Sequence, residues 1–512
     1  MSVPSDSTAP ASVRRVMGLE SEFGIAVPGE PYANPMHLSG LVVTTYARAH
    51  GHRATHGAWD YSDESPLVDA RGFTQPRASA HPSQLTDEDD PSLANVVLGN
   101  GARLYVDHAH PEYSSPEVTT PRDALIWDRA GDLVAREVVA RLADRGRGVN
   151  LYKNNTDGKG SSYGTHENYQ VDRTTPFAQI VRHLLPFFVA RQVMCGAGRV
   201  GLGRESERAG YQISSRADFF EAEVGLETTF KRPIINTRDE PHADAERWRR
   251  LHVIVGDANL AEVAGLLKVG STSLVLALIE RDGLSTDLMP RYPIAALQQI
   301  SHDPSCQALI EVRDGRSLTA VQMLWEYFEA ATALVTKGGG ADGATAEVLG
   351  HWERVLTLLE RDPMLARADI DWVAKLALLQ QYRERDGLAW DDPRLRAIDI
   401  QWADVRAERG LHYKLEAAGR ITRLTTDEEV IAAMTMPPSD TRAWARGHAV
   451  TTYPRDVLSA SWDCLVIDQP ARGGVARVTL PDPLRGSRAA LAPHVGAAQS
   501  VEAFVDALAK HA

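Results

Sequence analysis

Glu20 and Glu22 stand two residues apart in Val16-Met-Gly-Leu-Glu-Ser-Glu-Phe-Gly-Ile25, where strand alternation puts both carboxylates on one face and Leu19, Ser21 and Phe23 on the other. Hard divalent cations such as magnesium take oxygen ligands, and an ion beside nucleotide phosphates needs only a few carboxylates in addition to phosphate and water. A solvated edge strand would show the same pair. It gains meaning from a second acidic cluster, Tyr105-Val-Asp-His-Ala-His-Pro-Glu-Tyr-Ser-Ser-Pro-Glu117. Tyr105 and Asp107 share a strand face there. Asp107 suits a general base, a nucleophile or a metal ligand, and Glu112 and Glu117 lie close enough in sequence to share an ion. Burying so many carboxylates unpaired would cost several kcal/mol each, so a cation is the simpler account if they face inward.

His108 and His110 raise a zinc hydrolase as an alternative. On a continuous strand both would point away from Asp107, which disfavours it. Guanidinium groups hold phosphate or carboxylate oxygens bidentately. The sequence offers Arg216 in Ser-Ser-Arg-Ala-Asp-Phe, Arg238 in Asn-Thr-Arg-Asp-Glu-Pro-His, and Arg442 and Arg446 in Thr-Arg-Ala-Trp-Ala-Arg-Gly. Each alone is more commonly a surface or structural residue, just as His252 in its apolar strand is more commonly a core histidine. Two glycine-rich strings are rejected as phosphate loops. Gly196-x-Gly-x-x-Gly201 follows a helical stretch rather than a strand, and Gly158-Lys159-Gly-Ser-Ser lacks the earlier glycine such a loop requires. If a nucleotide binds, it binds on another architecture.

The elements that must position these groups are short strands and longer helices. Asn100-Gly101 joins residues 96–99 to residues 102–107 as a hairpin. Residues 149–154, 166–171 and 251–256 read as strands, and residues 37–49, 123–142, 176–194 and 261–279 as helices, with another around 242–250. Residues 51–93 lose all periodicity and fill with Asp, Glu, Ser, Pro, Gly and His, the pattern of a flexible lid or insertion. Long helical segments occupy about residues 320–385. From about residue 426 the character changes to a small terminal domain with strands near 463–468 and 476–480.

A chain of 512 residues exceeds the size at which one core stops growing, so a large domain plus a smaller one is expected. Its formal charge of −13 argues against an overall nucleic-acid footprint, though it leaves local basic grooves open. Cys195, Cys306 and Cys464 are widely spaced and odd in number, which suggests neither a disulfide framework nor a cysteine zinc site and fits a cytoplasmic setting. The Ser/Pro/Ala-rich beginning carries no apolar signal core, and the continuous apolar runs are too short to span a bilayer. No membrane or nucleic-acid partner is expected.

Taken together, Gly18-Leu-Glu-Ser-Glu-Phe-Gly, Asn100-Gly-Ala-Arg-Leu-Tyr-Val-Asp-His-Ala-His-Pro-Glu-Tyr-Ser, Tyr163-Gly-Thr-His-Glu-Asn-Tyr, Arg232-Pro-Ile-Ile-Asn-Thr-Arg and Leu251-His-Val-Ile-Val-Gly-Asp resemble the Pup-processing enzymes. That family comprises a deamidase/depupylase of the protein modifier Pup and its sister, the Pup ligase. The Asp107 motif and the insertion Ala58-Trp-Asp-Tyr-Ser-Asp-Glu-Ser-Pro-Leu-Val-Asp-Ala-Arg-Gly-Phe73 resemble the deamidase/depupylase branch. Gln401-Trp-Ala-Asp404 departs from the tyrosine-containing version expected in many relatives.

The resemblance implies an α+β, glutamine-synthetase-like fold: a curved, mainly antiparallel cradle backed by helices. The expected organisation is a disordered tail over residues 1–13, a catalytic domain over 14–425 and a small C-terminal domain over 426–512. It also implies ATP, or ADP plus phosphate, with Mg2+ at one end of the cradle. Glu20, Glu22, Tyr105, Glu112 and His166 would hold metal and nucleotide, with Arg442 a further nucleotide contact. Asp107 would be the key carboxylate, with Arg216, Arg238 and His252 near the phosphate and scissile group. The implied reaction is deamidation of Pup's C-terminal Gln and cleavage of the isopeptide to a substrate lysine, by a monomer acting on Pup and pupylated proteins. A Pup ligase, a small-molecule γ-glutamyl ligase and a non-catalytic Pup-binding scaffold are the alternatives. Arg204, Arg208, Lys231 and Arg232 are candidates for docking acidic Pup, and residues 51–93 for gating the site.

Overall fold

Six strands line up edge to edge in the order Trp248–Val253, Thr165–Asp172, Met17–Glu22, His110–Ser114, Arg103–Asp107 and Asn95–Val97, each antiparallel to its neighbours. The computed structural model describes residues 11–52, 54, 58–62, 64–81, 84–85, 94–229, 231–496 and 500–511. Cross-strand partners share a face, so the register sorts the sheet into two unlike surfaces. Met17, Leu19, Leu104, Val106, Tyr113, Tyr169, Val171, Leu251 and Val253 fall on one side. Glu20, Glu22, Tyr105, Asp107, Glu112, His166 and His252 fall on the other.

The apolar side is the reason the sheet holds. Under its Trp248–Val253 half, Leu19, Tyr169, Val171 and Leu251 pack with Ile180, Leu184, Val263 and Leu266 from the helices Phe177–Cys195 and Glu262–Ile279. Under the other half, Leu104, Val106 and Tyr113 meet Val42 and Tyr46 of Pro35–Ala49 and Val134 and Val138 of Pro121–Asp144. Each fully buried aliphatic side chain contributes about 1.5–3 kcal/mol relative to exposure. Glu262–Ile279 is long and apolar enough to cross a membrane, but every one of its residues is buried inside the protein, where it forms the middle of the helical layer.

Two tight reversals, one at each end of the strand Arg103–Asp107, set the register. The Asn100-Gly101 turn forms as the sequence predicts. Gly101 sits at φ +80°, and a side chain there would meet the Ala443 carbonyl at 2.8 Å. The second reversal, Asp107-His108-Ala109-His110, carries no glycine; His108 itself takes the left-handed conformation at φ 51°.

Three expectations are corrected. Residues 242–250 are not helical: His242 has φ 46°, and the strand Trp248–Val253 begins there because its backbone pairs with Thr165–Asp172. Residues 11–13 of the expected tail are part of the fold, since Ala11 and Val13 are buried and Val13 N donates to Thr345 Oγ1 at 3.1 Å, while residues 1–10 lie outside the described residues. The described part of the 51–93 insertion is tied down rather than free. Trp59 joins a core with Val97, Leu465, Ile467 and Phe504, Asp60 pairs with Arg477, and the short strands Val68–Asp69 and Phe73–Thr74 pair with each other. Residues 53, 55–57, 63, 82–83 and 86–93 of the insertion lie outside the described residues. The strands Val457–Ala460, Cys464–Gln469 and Gly474–Thr479 form a small antiparallel sheet packed on the helix Val501–His511.

Candidate active site

The polar face gathers its titratable groups into two clusters. Glu22, Asp107 and Glu112 each present an oxygen within 4.8 Å of the others, and Glu20, His166 and His252 form a second triplet by the same measure. Register explains both: Glu22 is opposite Glu112, Tyr105 is opposite Glu112, and Glu20 is opposite His166. Residues far apart in sequence thus become neighbours through strand pairing.

Around the acidic cluster the Tyr105 hydroxyl donates to Glu112, Ser114 Oγ donates to the same oxygen at 3.1 Å, and Gly164 N donates to Glu22 Oε2 at 2.8 Å. Burial, and then the charges of Asp107, Glu20 and Glu22, push the Glu112 carboxyl well above the usual range. Asp107 goes the other way: burial raises it, but the charge and hydrogen bond of His108, 2.9 Å away, bring it below its ordinary value. Three carboxylates this close repel one another until a proton or a cation joins them. An all-oxygen set with spare valence fits magnesium.

In the second cluster Glu20 accepts from His166 Nδ1 at 3.0 Å and from Asn168 Nδ2 at 2.8 Å. Burial raises the Glu20 carboxyl, yet the His166 bond and the charges of His252, His166 and Arg250 leave it well below the usual range. Burial drives His252 well below an ordinary imidazole, with Arg250 adding to the effect, so its ring is neutral and able to act as a ligand. Gly18, Glu20, Ser114, Asn168, Arg250 and Trp462 line a cleft of about 610 Å³ at this end.

The sequence-predicted groups Glu20, Glu22, Tyr105, Asp107, Glu112, His166 and His252 therefore meet on one surface. Arg238 lies beside it, 3.9 Å from Glu240 and close enough for its charge to act on His252. Arg216 is buried next to Gly164, bonded to Ser162 and to the Thr165 and Gly256 carbonyls.

Arg442 differs from expectation. It lines the 610 Å³ cleft, but its guanidinium is taken up by Glu117 at 2.7 Å and by the Leu480 and His242 carbonyls, so it clamps the terminal segment to the sheet rather than offering a free phosphate ligand. The same pairing, with Arg446 on the other oxygen, removes Glu117 from the ion-binding set. His110 is corrected as well: the chain reversal at His108 brings it to the face of Asp107, 3.8 Å from Glu22.

Sequence reasoning missed Asn168 and Arg250. Asn168 links Glu20, His252 and Arg250, and Arg250 reaches Glu240 at 3.2 Å. The available signal was alternation, which puts Arg250 on the face of His252 and Asn168 on the face of His166.

An antiparallel cradle with a carboxylate- and imidazole-studded face, backed by helices, defines an enzyme of the glutamine-synthetase-like class. The chain belongs to the Pup-ligase protein family, whose pattern matches residues 15–466. It is 54% identical over 488 residues to a depupylase of Acidothermus cellulolyticus, covering 94% of this chain and 96% of that one. It is 49% identical over 500 residues to a Pup deamidase/depupylase of Mycolicibacterium smegmatis, covering 96% and 99%. Among solved structures, the complex between the prokaryotic ubiquitin-like protein Pup and its ligase PafA superposes with a TM-score of 0.78 at 32% identity, covering 99% of this chain and 94% of that one. PafA bound to ADP gives 0.70 at 37% identity, with 82% and 90% covered.

Proposed function

We propose that this chain is an ATP- and magnesium-dependent amidase and isopeptidase that deamidates the C-terminal Gln of Pup and cleaves the bond joining Pup to substrate lysines. The observation that carries the reading is Asp107, set beside Glu22 and Glu112 on the cradle face of a chain that aligns almost end to end with depupylases. Similarity to the solved ligases is lower, at 32% and 37% identity, and the sequence of the insertion, Ala58 to Phe73, resembles the hydrolase branch.

Amide hydrolysis needs a nucleophile, stabilisation of the carbonyl oxygen's developing charge, and a proton for the leaving amine. Asp107 meets the first need by attacking the carbonyl itself or by orienting a phosphate or water that does. His108 holds the Asp107 carboxylate ionised for either task. Glu22 and Glu112 would hold magnesium, with Tyr105 orienting Glu112. Glu20 and His166 would hold it at the nucleotide end. The ion would neutralise phosphate charge and polarise phosphate oxygens. ATP, or ADP plus phosphate, serves as cofactor in the cleft beside Glu20, and the acidic modifier approaches from the Glu22 end. The enzyme works in the cytoplasm as a monomer.

The test is to incubate Gln-ended Pup and a Pup conjugate with the protein, Mg2+ and ATP and to weigh the products. Free Glu-ended Pup from both substrates is expected. Conjugate formed from Glu-ended Pup would make it a ligase, and tight binding without turnover would make it a scaffold.

A further inference from the structure

Ser21 stands between Glu20 and Glu22 and points the other way, into the helical layer, where it is buried. Its hydroxyl donates to Asp128 Oδ1 at 2.8 Å. Burial raises the Asp128 carboxyl, but the charge and hydrogen bond of Lys153 bring it below its ordinary value, so it is ionised and can only accept. Lys153 Nζ donates to Asp128 Oδ2 at 2.8 Å and lies 2.9 Å from Asp132 Oδ1, one turn further along the helix Pro121–Asp144. Ser21 Oγ also lies 3.1 Å from Thr165 Oγ1, whose hydroxyl donates to the Glu20 carbonyl at 3.0 Å.

A buried set of one ammonium and two carboxylates is a poor way to stabilise a fold, because desolvation offsets most of the attraction and well-packed apolar residues do as well. Its effect is to fix an acceptor in one place. The helix is seated closely at that place. Ser21 is opposite Tyr113 in the sheet, and Gly131, on the helix face of Asp128, lies so near Tyr113 that a side chain there would overlap its ring. The neighbouring positions on the cradle face are Glu20, Glu22 and Glu112. Lys153 reaches the same end of the strand by a second route. The Asn155 carbonyl accepts from Tyr163 N at 3.3 Å, and Gly164, the next residue, accepts from Glu22 N and donates to Glu22 Oε2, each at 2.8 Å.

We propose that Asp128, held by Lys153, is a positioning residue for the metal site: through the Ser21 hydroxyl it fixes the strand that carries Glu20 and Glu22 at the spacing a divalent ion requires. The inference rests on the reading of those carboxylates as metal ligands. Ser21 is the last residue of Met17–Glu22 to face the helices, so its bond is the side-chain tether of the strand's carboxylate-bearing end. Ions of the magnesium class demand near-ideal octahedral oxygen geometry and tolerate little displacement of their ligands. Asp128 touches neither ion nor substrate; it acts through the serine.

The test is a double-mutant cycle of Ser21→Ala and Asp128→Ala, reading Mn2+ affinity by calorimetry, melting temperature, and the Mg2+ and Pup dependence of turnover. Each single variant should bind Mn2+ about tenfold more weakly, the lower end of what an outer partner of a metal ligand is worth. Half-maximal turnover should need more Mg2+ by the same factor, with KM for Gln-ended Pup unchanged. The double variant should be no worse than either single one, because both remove the same contact. Losses that multiply in the double variant, to about 100-fold, would show that Asp128 does not act through Ser21. Variants that melt earlier yet bind Mn2+ as wild type does would make the contact purely structural and overturn the proposal. Asp128→Ala leaves Lys153 its Asp132 partner; if it nonetheless fails to fold, Ser21→Ala decides alone. If wild type itself takes up no Mn2+, the metal reading of the cradle fails and the positioning role falls with it. If wild type binds and Ser21→Ala matches it, the positioning role alone falls.

Discussion

Asn168 Oδ1 lies 3.0 Å from His252 Nδ1, and this contact settles which nitrogen of the histidine carries the proton. The amide cannot be reversed: Nδ2 faces the acceptor-only Glu20 carboxylate at 2.8 Å, and Oδ1 faces the donor-only Arg250 guanidinium at 3.0 Å. His252 must therefore donate from Nδ1, leaving the lone pair of its neutral ring on Nε2. His166 is fixed in the same way, because Nδ1 meets Glu20. Such partners orient metal-binding imidazoles, and losing one commonly costs 10–100-fold in affinity, roughly. Asn168→Leu should therefore weaken divalent-ion binding by about that factor, read by calorimetry with Mn2+, while leaving the melting temperature within a few degrees. Unchanged ion affinity would show that this cluster does not bind metal.

Asp107 is the residue on which the proposed chemistry depends. Asp107→Asn keeps the side chain's shape and its place beside His108 but removes the charge. Turnover of Gln-ended Pup should fall by roughly 10³-fold or more, the scale of losing a nucleophile or general base. ATP affinity should change by less than about tenfold, since Glu20, Asn168 and Arg250 line the cleft at the other cluster. Full activity in the variant would remove Asp107 from the mechanism.

The sequence shows two pairs of site residues and the strands that carry them because alternation is a local property. Glu20 and Glu22, and Tyr105 and Asp107, reveal their common face within a few residues. It does not show register. Asn168 becomes important only by lying opposite His252, and 84 positions separate them. The reversal at His108 escapes the sequence for another reason: no glycine marks it, a histidine bears the positive φ, and the pattern alone carries the strand on through His110. The insertion misled through composition. Its polar residues mask Trp59, which stacks on Arg103 with the guanidinium carbon 3.9 Å from the ring, the same distance as that carbon keeps from the Tyr105 ring. Arg442 suits a phosphate by its guanidinium and Glu117 an ion by its place in the acidic cluster, yet they satisfy one another.

Beneath the sheet, Glu167 and Arg191 form a bidentate pair with contacts of 2.7 and 2.8 Å, both side chains essentially without solvent. Removing one partner strands the other charge in a low-dielectric core. Arg191→Met should therefore lower unfolding free energy by about 3–5 kcal/mol, measured by denaturant titration. The double replacement Glu167→Gln with Arg191→Met should recover a large part of that loss, because no bare charge remains. A double variant as unstable as the single one would place the cost in packing rather than charge.

Glu117 ties the strand side of the cradle to the terminal segment through Arg442 and Arg446. Burial raises its carboxyl, but the Arg446 and Arg442 charges and hydrogen bonds overcome this and bring it down to about 2. A carboxyl whose folded pKa lies below its unfolded one stabilises the fold fully above the unfolded value of about 4.3, and that stabilisation disappears as pH falls towards the folded value. The difference corresponds to roughly 3 kcal/mol at neutral pH. Lowering the pH from 6 to 3 should therefore destabilise wild type more steeply than Glu117→Gln. The variant should start out less stable at pH 7, since its amide leaves two buried guanidiniums without a counter-charge. Thermal unfolding followed across that range checks both signs at once. Parallel curves for the two proteins would show that the Glu117 ion pairs contribute nothing to acid sensitivity.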